Sequence, residues 1–185
     1  GSVINVEASR LDINSALDGD FLAEGEAINI SNAGKLNLTA ATADSEIAGT
    51  IAVTGRDSSL SIAGVGTAAL TGQISLADNA DLFVESTLNV EKDGVIFAGG
   101  KSSSAAVSVE AGSILNLNEG SSLALTDGSH LINKGAVNVN GGTVTLQSNG
   151  YIRNMGTFTT FNGGQFNIET DALIDGGFVF STKTT

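Results

Sequence analysis

The sequence contains no cysteine, no proline and no tryptophan. Without cysteine there is no thiolate nucleophile, no thiolate metal site and no disulfide framework. The absence of proline beside 24 glycines excludes collagen-like and proline-rich linker architectures. Aromatic residues are scarce, eight Phe and one Tyr, so the apolar set that makes up 41% of the chain is mostly aliphatic. Basic residues are scarce as well: eight Lys and Arg face twenty Asp and Glu, a formal net charge of −12. The eight are scattered, at Arg10, Lys35, Arg56, Lys92, Lys101, Lys134, Arg153 and Lys183. A phosphate-binding face needs clustered cations, so nucleic acid is not expected as a partner, nor is an anionic membrane surface. No apolar run approaches the ~18 residues that a membrane-spanning helix requires, and no signal peptide is visible. This segment is not expected to insert into a membrane.

What the chain does contain is a short unit, apolar–x–apolar, repeated from Ile4-Asn5-Val6 to Phe178-Val179-Phe180. Alternation at period two places both flanking side chains on one face of a strand. Gly, Asn, Asp or Ser separates nearly every pair of units, as turns require. In the second half, strands begin at 107, 115, 123, 131, 137, 144, 151, 158, 166 and 173, so three successive steps span 20 to 24 residues. A repeat of this length marks a stacked solenoid. Three short strands and three turns per repeat predict an all-β fold, a right-handed three-sided parallel β-helix of about eight coils and about 40 Å in length. No helical segment separates the strands, which rules out βαβ units.

Self-similarity supports the coil. Asn133-Lys134-Gly135-Ala136-Val137-Asn138-Val139-Asn140-Gly141-Gly142 resembles Asn154-Met155-Gly156-Thr157-Phe158-Thr159-Thr160-Phe161-Asn162-Gly163-Gly164 at an offset of 21 residues. The Gly-Gly pairs are expected at one corner on successive coils, and Gly99-Gly100 and Gly176-Gly177 are read as further corners of this kind. Ala40–Ile47 and Ala98–Ser104 break the rhythm and are expected to be longer surface loops. Residues 1–185 are read as one β-helix segment of a larger protein, with Gly1-Ser2 a cloning remnant. Neither end shows a cap, and a solenoid needs its ends covered.

Candidates for catalysis are few. The acidic groups Asp18-Gly19-Asp20 with Glu24 and Glu26, and Asp78 with Asp81, are read as solvated turn carboxylates. His130, the single histidine, has no second histidine or cysteine for a metal and is read as a turn residue. The calcium-binding nonapeptide and the EF-hand loop are both absent. No catalytic residue, metal or cofactor is expected, and the chain is expected not to be an enzyme.

The outward middle positions carry more information. They hold Asn at 5, 29, 37, 89, 116, 138 and 167, and elsewhere mostly Ser, Thr, Ala or Asp. Short donor–acceptor side chains can bond along a stack or to another rod. Asn29, Asn37, Asn89, Asn116, Asn138 and Asn167 are therefore the candidate self-association residues. Thr143/Thr145 and Thr157/Thr159 do not recur at one-coil intervals, which argues against an ice-binding Thr array.

With the Asn-x-Gly…Gly-Gly coils at 133–142 and 154–164, and apolar–Asn–apolar strands throughout, the chain resembles passenger regions of bacterial autotransporters and related β-helical adhesins. It is also similar to β-solenoid segments of bacterial S-layer proteins in its acidity, lack of cysteine and richness in small polar residues. The resemblance implies a non-enzymatic rod on the outer surface of a bacterium, extracellular, that associates with itself or binds a host or bacterial surface component. The alternatives it leaves are an S-layer lattice domain and a polysaccharide-active β-helix of the lyase or tailspike kind.

Overall fold

The computed structural model describes residues 1–15, 21–40, 45–100 and 104–180. The apolar–x–apolar units become short strands that wind into three parallel sheets, and no helix occurs among the described residues. Face A stacks Val3–Glu7, Ala27–Ser31, Thr50–Thr54, Gln73–Ala77, Val95–Ala98, Ser122–Leu125, Thr143–Leu146 and Gln165–Ile168. Face B stacks Arg10–Ser15, Lys35–Ala40, Ser59–Gly64, Asp81–Val84, Ala106–Val109, His130–Asn133, Tyr151–Asn154 and Leu173–Asp175. Face C stacks Ser45–Ile47, Thr67–Leu70, Thr87–Val90, Ile114–Leu117, Ala136–Asn140, Thr157–Phe161 and Val179–Phe180. The three-sided parallel solenoid expected from the spacing is present.

Seven turns carry all three strands, so the expected eight become about seven. Among the described residues, which leave out 16–20, the first turn shows no third strand. Its third side is marked by a parallel bridge from Leu22 to Ile47, with the Phe21 N–H donating to the Glu46 carbonyl and the Ala48 N–H to the Leu22 carbonyl. Paired residues on face A lie 21 to 27 residues apart. The longest interval, Val95 to Ser122, contains the 98–104 segment. The expected 98–104 loop is thus seen as surplus length at the A-to-B corner, with 101–103 outside the described residues. The other expected loop is shorter than its reading. Ala40 ends a face B strand, and Ser45–Ile47 is itself a strand with Ser45 and Ile47 buried. A lone Ile in a polar stretch carries too weak a period-two signal to reveal it.

The core is a column of aliphatic side chains. On face C, Leu88, Leu115, Val137 and Phe158 stack in register, and each is 0–1% exposed. At the C-terminal end the filling turns aromatic. Phe158 meets Phe166 edge-on at 5.5 Å between ring centroids and Phe178 at 4.7 Å. Four of the described Phe point inward (21, 158, 166, 178), whereas Phe83, Phe97 and Phe161 occupy outward strand positions.

Corners follow backbone chemistry. From face A to face B, the left-handed region is held mostly by Asn and Asp, at Asn32, Asp57, Asp78, Asn79, Asp127 and Asn149, which tolerate it, and also by Ala8, Ala33 and Ser148. From face C to face A, Gly141 and Gly163 hold it at φ of 78° and 80°, one turn apart as the repeat predicts. Gly99-Gly100 and Gly176-Gly177 belong to the other two edges of the prism, A-to-B and B-to-C, so they are not repeats of that corner. Two glycines per turn within one rhythm cannot be told apart by spacing when the corners differ in length. Gly156 has a different reason to be glycine: a Cβ there would lie 2.1 Å from the carbonyl oxygen of Gly135 in the turn below. Successive B-to-C corners stack backbone on backbone.

Candidate interaction surface

Because side chains alternate along each strand, every second residue of a face points outward, and parallel pairing sets like positions in columns. Asn89, Asn116 and Asn138 form one such column on face C. Asn116 Nδ2 donates to Asn89 Oδ1 at 2.7 Å, and Asn138 Nδ2 donates to Asn116 Oδ1 at 2.9 Å. A second ladder runs beside it. Asn118 donates to Glu91 Oε2 at 3.0 Å, Asn140 to Asn118 Oδ1 at 3.3 Å, and Asn162 to Asn140 Oδ1 at 2.7 Å. This second ladder was not among the expected residues, because Asn118, Asn140 and Asn162 sit just past the apolar–x–apolar core of their strands. Their spacing of 22 residues was the signal that could have found it.

The other expected asparagines lie on other faces. Asn29 is on face A and donates to Asn5 Oδ1 at 3.0 Å. Asn167 is on face A at the far end of the rod. Asn37 is on face B and donates to Asp12 Oδ1 at 2.6 Å. That hydrogen bond, followed by the Arg10 guanidinium 2.8 Å away, holds the Asp12 carboxyl below the usual carboxylate range. Three of the six candidates therefore form one continuous column, two share face A, and one stands alone on face B.

Two further asparagines point inward, which the outward Asn pattern did not reveal. Asn133 and Asn154 pair in register at the last position of their face B strands, where earlier turns place Ile62, Val84 and Val109. Asn133 is fully buried. Its Nδ2 donates to Asn154 Oδ1 and to the Thr157 carbonyl, both at 2.7 Å, while its Oδ1 accepts from the Gly135 N–H at 3.1 Å. Asn154 in turn donates to the Gly177 carbonyl.

Face B carries most of the charged strand residues and one of the recesses. A shallow trough of about 590 Å³ crosses four turns, its floor made of Ser59, Ser61 and Ala63 and its walls including Lys35, Phe83 and Glu85. Ser61 donates to Glu85 Oε2 at 2.6 Å across it. Elsewhere a recess of about 300 Å³ brings Glu24, Glu46 and Asp93 together with Lys92. Of the first expected acidic group, Glu24 and Glu26 lie at a C-to-A corner, and Asp18-Gly19-Asp20 lies outside the described residues. Among the described residues no three His, Asp or Glu side chains are grouped to hold a metal ion.

His130 is the first residue of a face B strand and not a turn residue. The period-two unit begins one residue earlier than Leu131 because parallel pairing with Ala106 and Tyr151 draws His130 into the sheet. Two turns away in the same column, Asp81 is half-buried. Burial raises its carboxyl above the usual range, Asp57 adds to the rise, and His130 opposes it. A carboxyl whose folded value is raised contributes stability below the ordinary aspartate range and loses it as pH climbs through the folded value. Asp81→Asn is thus expected to be more stable than the parent at neutral pH, with the difference vanishing below the aspartate range. Urea midpoints at the two pH values check this.

No family model and no curated protein matches the chain. Among solved structures, it is similar to the crystal structure of the TibC-catalyzed hyper-glycosylated TibA55-350 fragment. Identity is 14% over 97% of this chain and 94% of that one, with a TM-score of 0.31.

Proposed function

We propose that this chain is a non-enzymatic structural or adhesive rod of a bacterial cell surface, a passenger region of an autotransporter-like adhesin that associates with copies of itself or binds a surface component. The winding is taken as right-handed, the sense that right-twisted strands joined by crossovers adopt. The observation that carries the reading is the pair of amide ladders on face C. They hold small polar side chains at the ~4.8 Å spacing of the turns, so that an outward surface is both rigid and polar. Little side-chain entropy is left to lose when such a face meets a partner.

Sedimentation velocity over a wide range of chain concentration tests self-association. The expected result is a sedimentation coefficient that rises with concentration. A single monomeric species throughout, together with no retention on bacterial or host cells, would overturn the reading.

A second reading, a polysaccharide-active β-helix, draws on the face B trough, where Phe83 presents a ring beside hydroxyl, amide and carboxylate groups. Incubation with a panel of bacterial and plant polysaccharides separates the two. Cleavage or retention of any of them would favour the trough.

A further inference from the structure

The sequence holds three Asn-Gly pairs: Asn140-Gly141, Asn149-Gly150 and Asn162-Gly163. In this dipeptide the glycine nitrogen can close a five-membered ring on the asparagine side chain, since glycine has no Cβ to obstruct the approach. The reaction needs a glycine N–H free to lose its proton and a backbone free to turn. The fold withholds both at two of the three pairs. The Gly150 N–H donates to the Gln147 carbonyl at 2.8 Å, and the residue is buried. The Gly141 N–H donates to the Phe161 carbonyl of the next turn at 3.2 Å, and Asn140 ends a paired face C strand. At the third pair the bond that closes the corner skips the reactive nitrogen. It runs from the Gly164 N–H to the Phe161 carbonyl at 3.0 Å. Among the described residues, neither Asn162 nor Gly163 makes a backbone hydrogen bond. Both are exposed, and a Cβ placed on Gly163 would meet no atom within 4 Å.

We infer that Asn162-Gly163 is a site of spontaneous covalent modification, at which the folded chain converts Asn162, in preference to Asn140 and Asn149, to aspartate and isoaspartate. Hydroxide takes the proton of the Gly163 N–H. The nitrogen lone pair attacks Asn162 Cγ, the Cγ–Nδ2 bond breaks, and Nδ2 takes a proton from water and leaves as ammonia. The product is a cyclic imide. Water adding at Cγ breaks its new bond to nitrogen and leaves an aspartyl residue. Water adding at the Asn162 backbone carbonyl carbon breaks the original peptide bond and leaves an isoaspartyl linkage. Loss of ammonia makes the conversion one-way. Its consequence falls on the second amide ladder. Asn118, Asn140 and Asn162 all donate toward Glu91, whose carboxylate sets the direction of the row. A carboxylate at position 162 has no N–H to give Asn140 Oδ1. Either two acceptors face each other at that rung, or Asn140 turns over and the conflict moves to Asn118. The conversion also places a negative charge beside face C, whose strands from Thr67 to Phe180 hold none. The outer surface of the rod thus acquires fixed charge with age, whatever the rod binds.

The test incubates the folded full chain in warm, mildly alkaline buffer and follows the three pairs by proteolysis and mass spectrometry. Position 162 is expected to convert roughly tenfold faster than 140 or 149, because a hydrogen bond that must open first thins the reactive population by about that factor. In concentrated urea, where the fold no longer distinguishes the pairs, the three rates are expected to converge. Asn162→Gln is expected to remove the fast release of ammonia and leave the slow release from the other two pairs. Asn162→Asp stands in for the aspartyl product. In nuclear magnetic resonance it is expected to move the Asn140 side-chain amide signals and to leave those of Asn29 on face A in place. Conversion at 140 or 149 as fast as at 162 in the folded chain overturns the inference, as does a folded chain inert at all three positions. Unmoved Asn140 signals in Asn162→Asp overturn the effect on the ladder. The urea comparison uses the unaltered sequence, so it decides even where a variant fails to fold.

Discussion

Replacing Asn133 with leucine is expected to lower the stability of the fold by about 3 kcal/mol, although leucine has the same branched arrangement of four side-chain heavy atoms and the site is fully buried. The amide serves three partners at once: Asn154 Oδ1, the Thr157 carbonyl and the Gly135 N–H. Leucine satisfies none of them, and each buried polar group left without a partner costs about 1–3 kcal/mol. The hydrophobic gain from the side chain offsets part of this. For a chain of this length, about 3 kcal/mol corresponds to a fall of roughly 6–12 °C in Tm. Asn116→Ala on face C is the contrast. Its ladder is half-exposed, water replaces the lost amide bonds, and the cost is expected to stay below about 1 kcal/mol. Thermal unfolding of the two variants side by side makes the measurement, and equal shifts would contradict the distinction between inner and outer ladders. The inner ladder also runs against the outer ones. Asn133 donates toward the later turn, whereas Asn29, Asn116, Asn138 and Asn140 each donate toward the earlier one.

That inner ladder marks where the sequence stops being readable. The 21-residue echo between Asn133-Lys134-Gly135 and Asn154-Met155-Gly156 is plain in the sequence, and the structure pairs Asn133 with Asn154 as the echo implies. What the echo does not carry is direction. Asparagine at the middle of an apolar–x–apolar unit points out, and at its end it points in. Leu131-Ile132-Asn133 places an Ile outward and an Asn inward, against the usual pattern, because the Asn must reach the Gly135 N–H and the Thr157 carbonyl at the corner. The same difficulty hid Thr67–Leu70 and Val95–Ala98, where alanine occupies an inward position and gives almost no hydrophobic signal.

Faces were harder to read than strands. The strand, the turn and the parallel stacking follow from local alternation and glycine or asparagine punctuation, all short-range properties. Which asparagines share a face depends on the summed length of three corners, and those corners vary. Asn89 and Asn116 are 27 residues apart and Asn116 and Asn138 are 22, yet all three stand in one column. Asn167 matches them in type and unit but lies on face A, because the chain turns four corners after Asn138, one more than a full turn. For the same reason it is invisible along the chain that the strands of face A from Ala27 to Ile168, and those of face C from Thr67 to Phe180, hold no charged residue. Charged residues cluster at corners and on face B, so every stretch of about 25 residues contains some, and only the stacked structure sorts them.

Leu115→Ala is expected to cost about 2–5 kcal/mol, the range for removing most of a large side chain from a tight core. Leu115 is fully buried between Leu88 in the turn before and Val137 in the turn after. Strand hydrogen bonds fix the spacing of those turns at ~4.8 Å, so the column cannot settle into the cavity. The upper half of the range is therefore expected. A solenoid turn touches only its neighbours, so the cost of such a truncation should depend on where along the rod it is made. Ile174 is 39% exposed in the last turn of face B, with no described strand stacked beyond it. Ile174→Ala is expected to cost less than about 1 kcal/mol, because water already reaches the side chain and little cavity forms. Guanidinium unfolding of the two variants gives the comparison. Similar shifts would mean that the chain unfolds from a state in which both turns are equally protected. A large shift for Leu115→Ala alone fits a rod whose stability resides in its inner turns, where each aliphatic side chain is covered from above and below and the flat outer faces can carry small polar groups at little cost to the core.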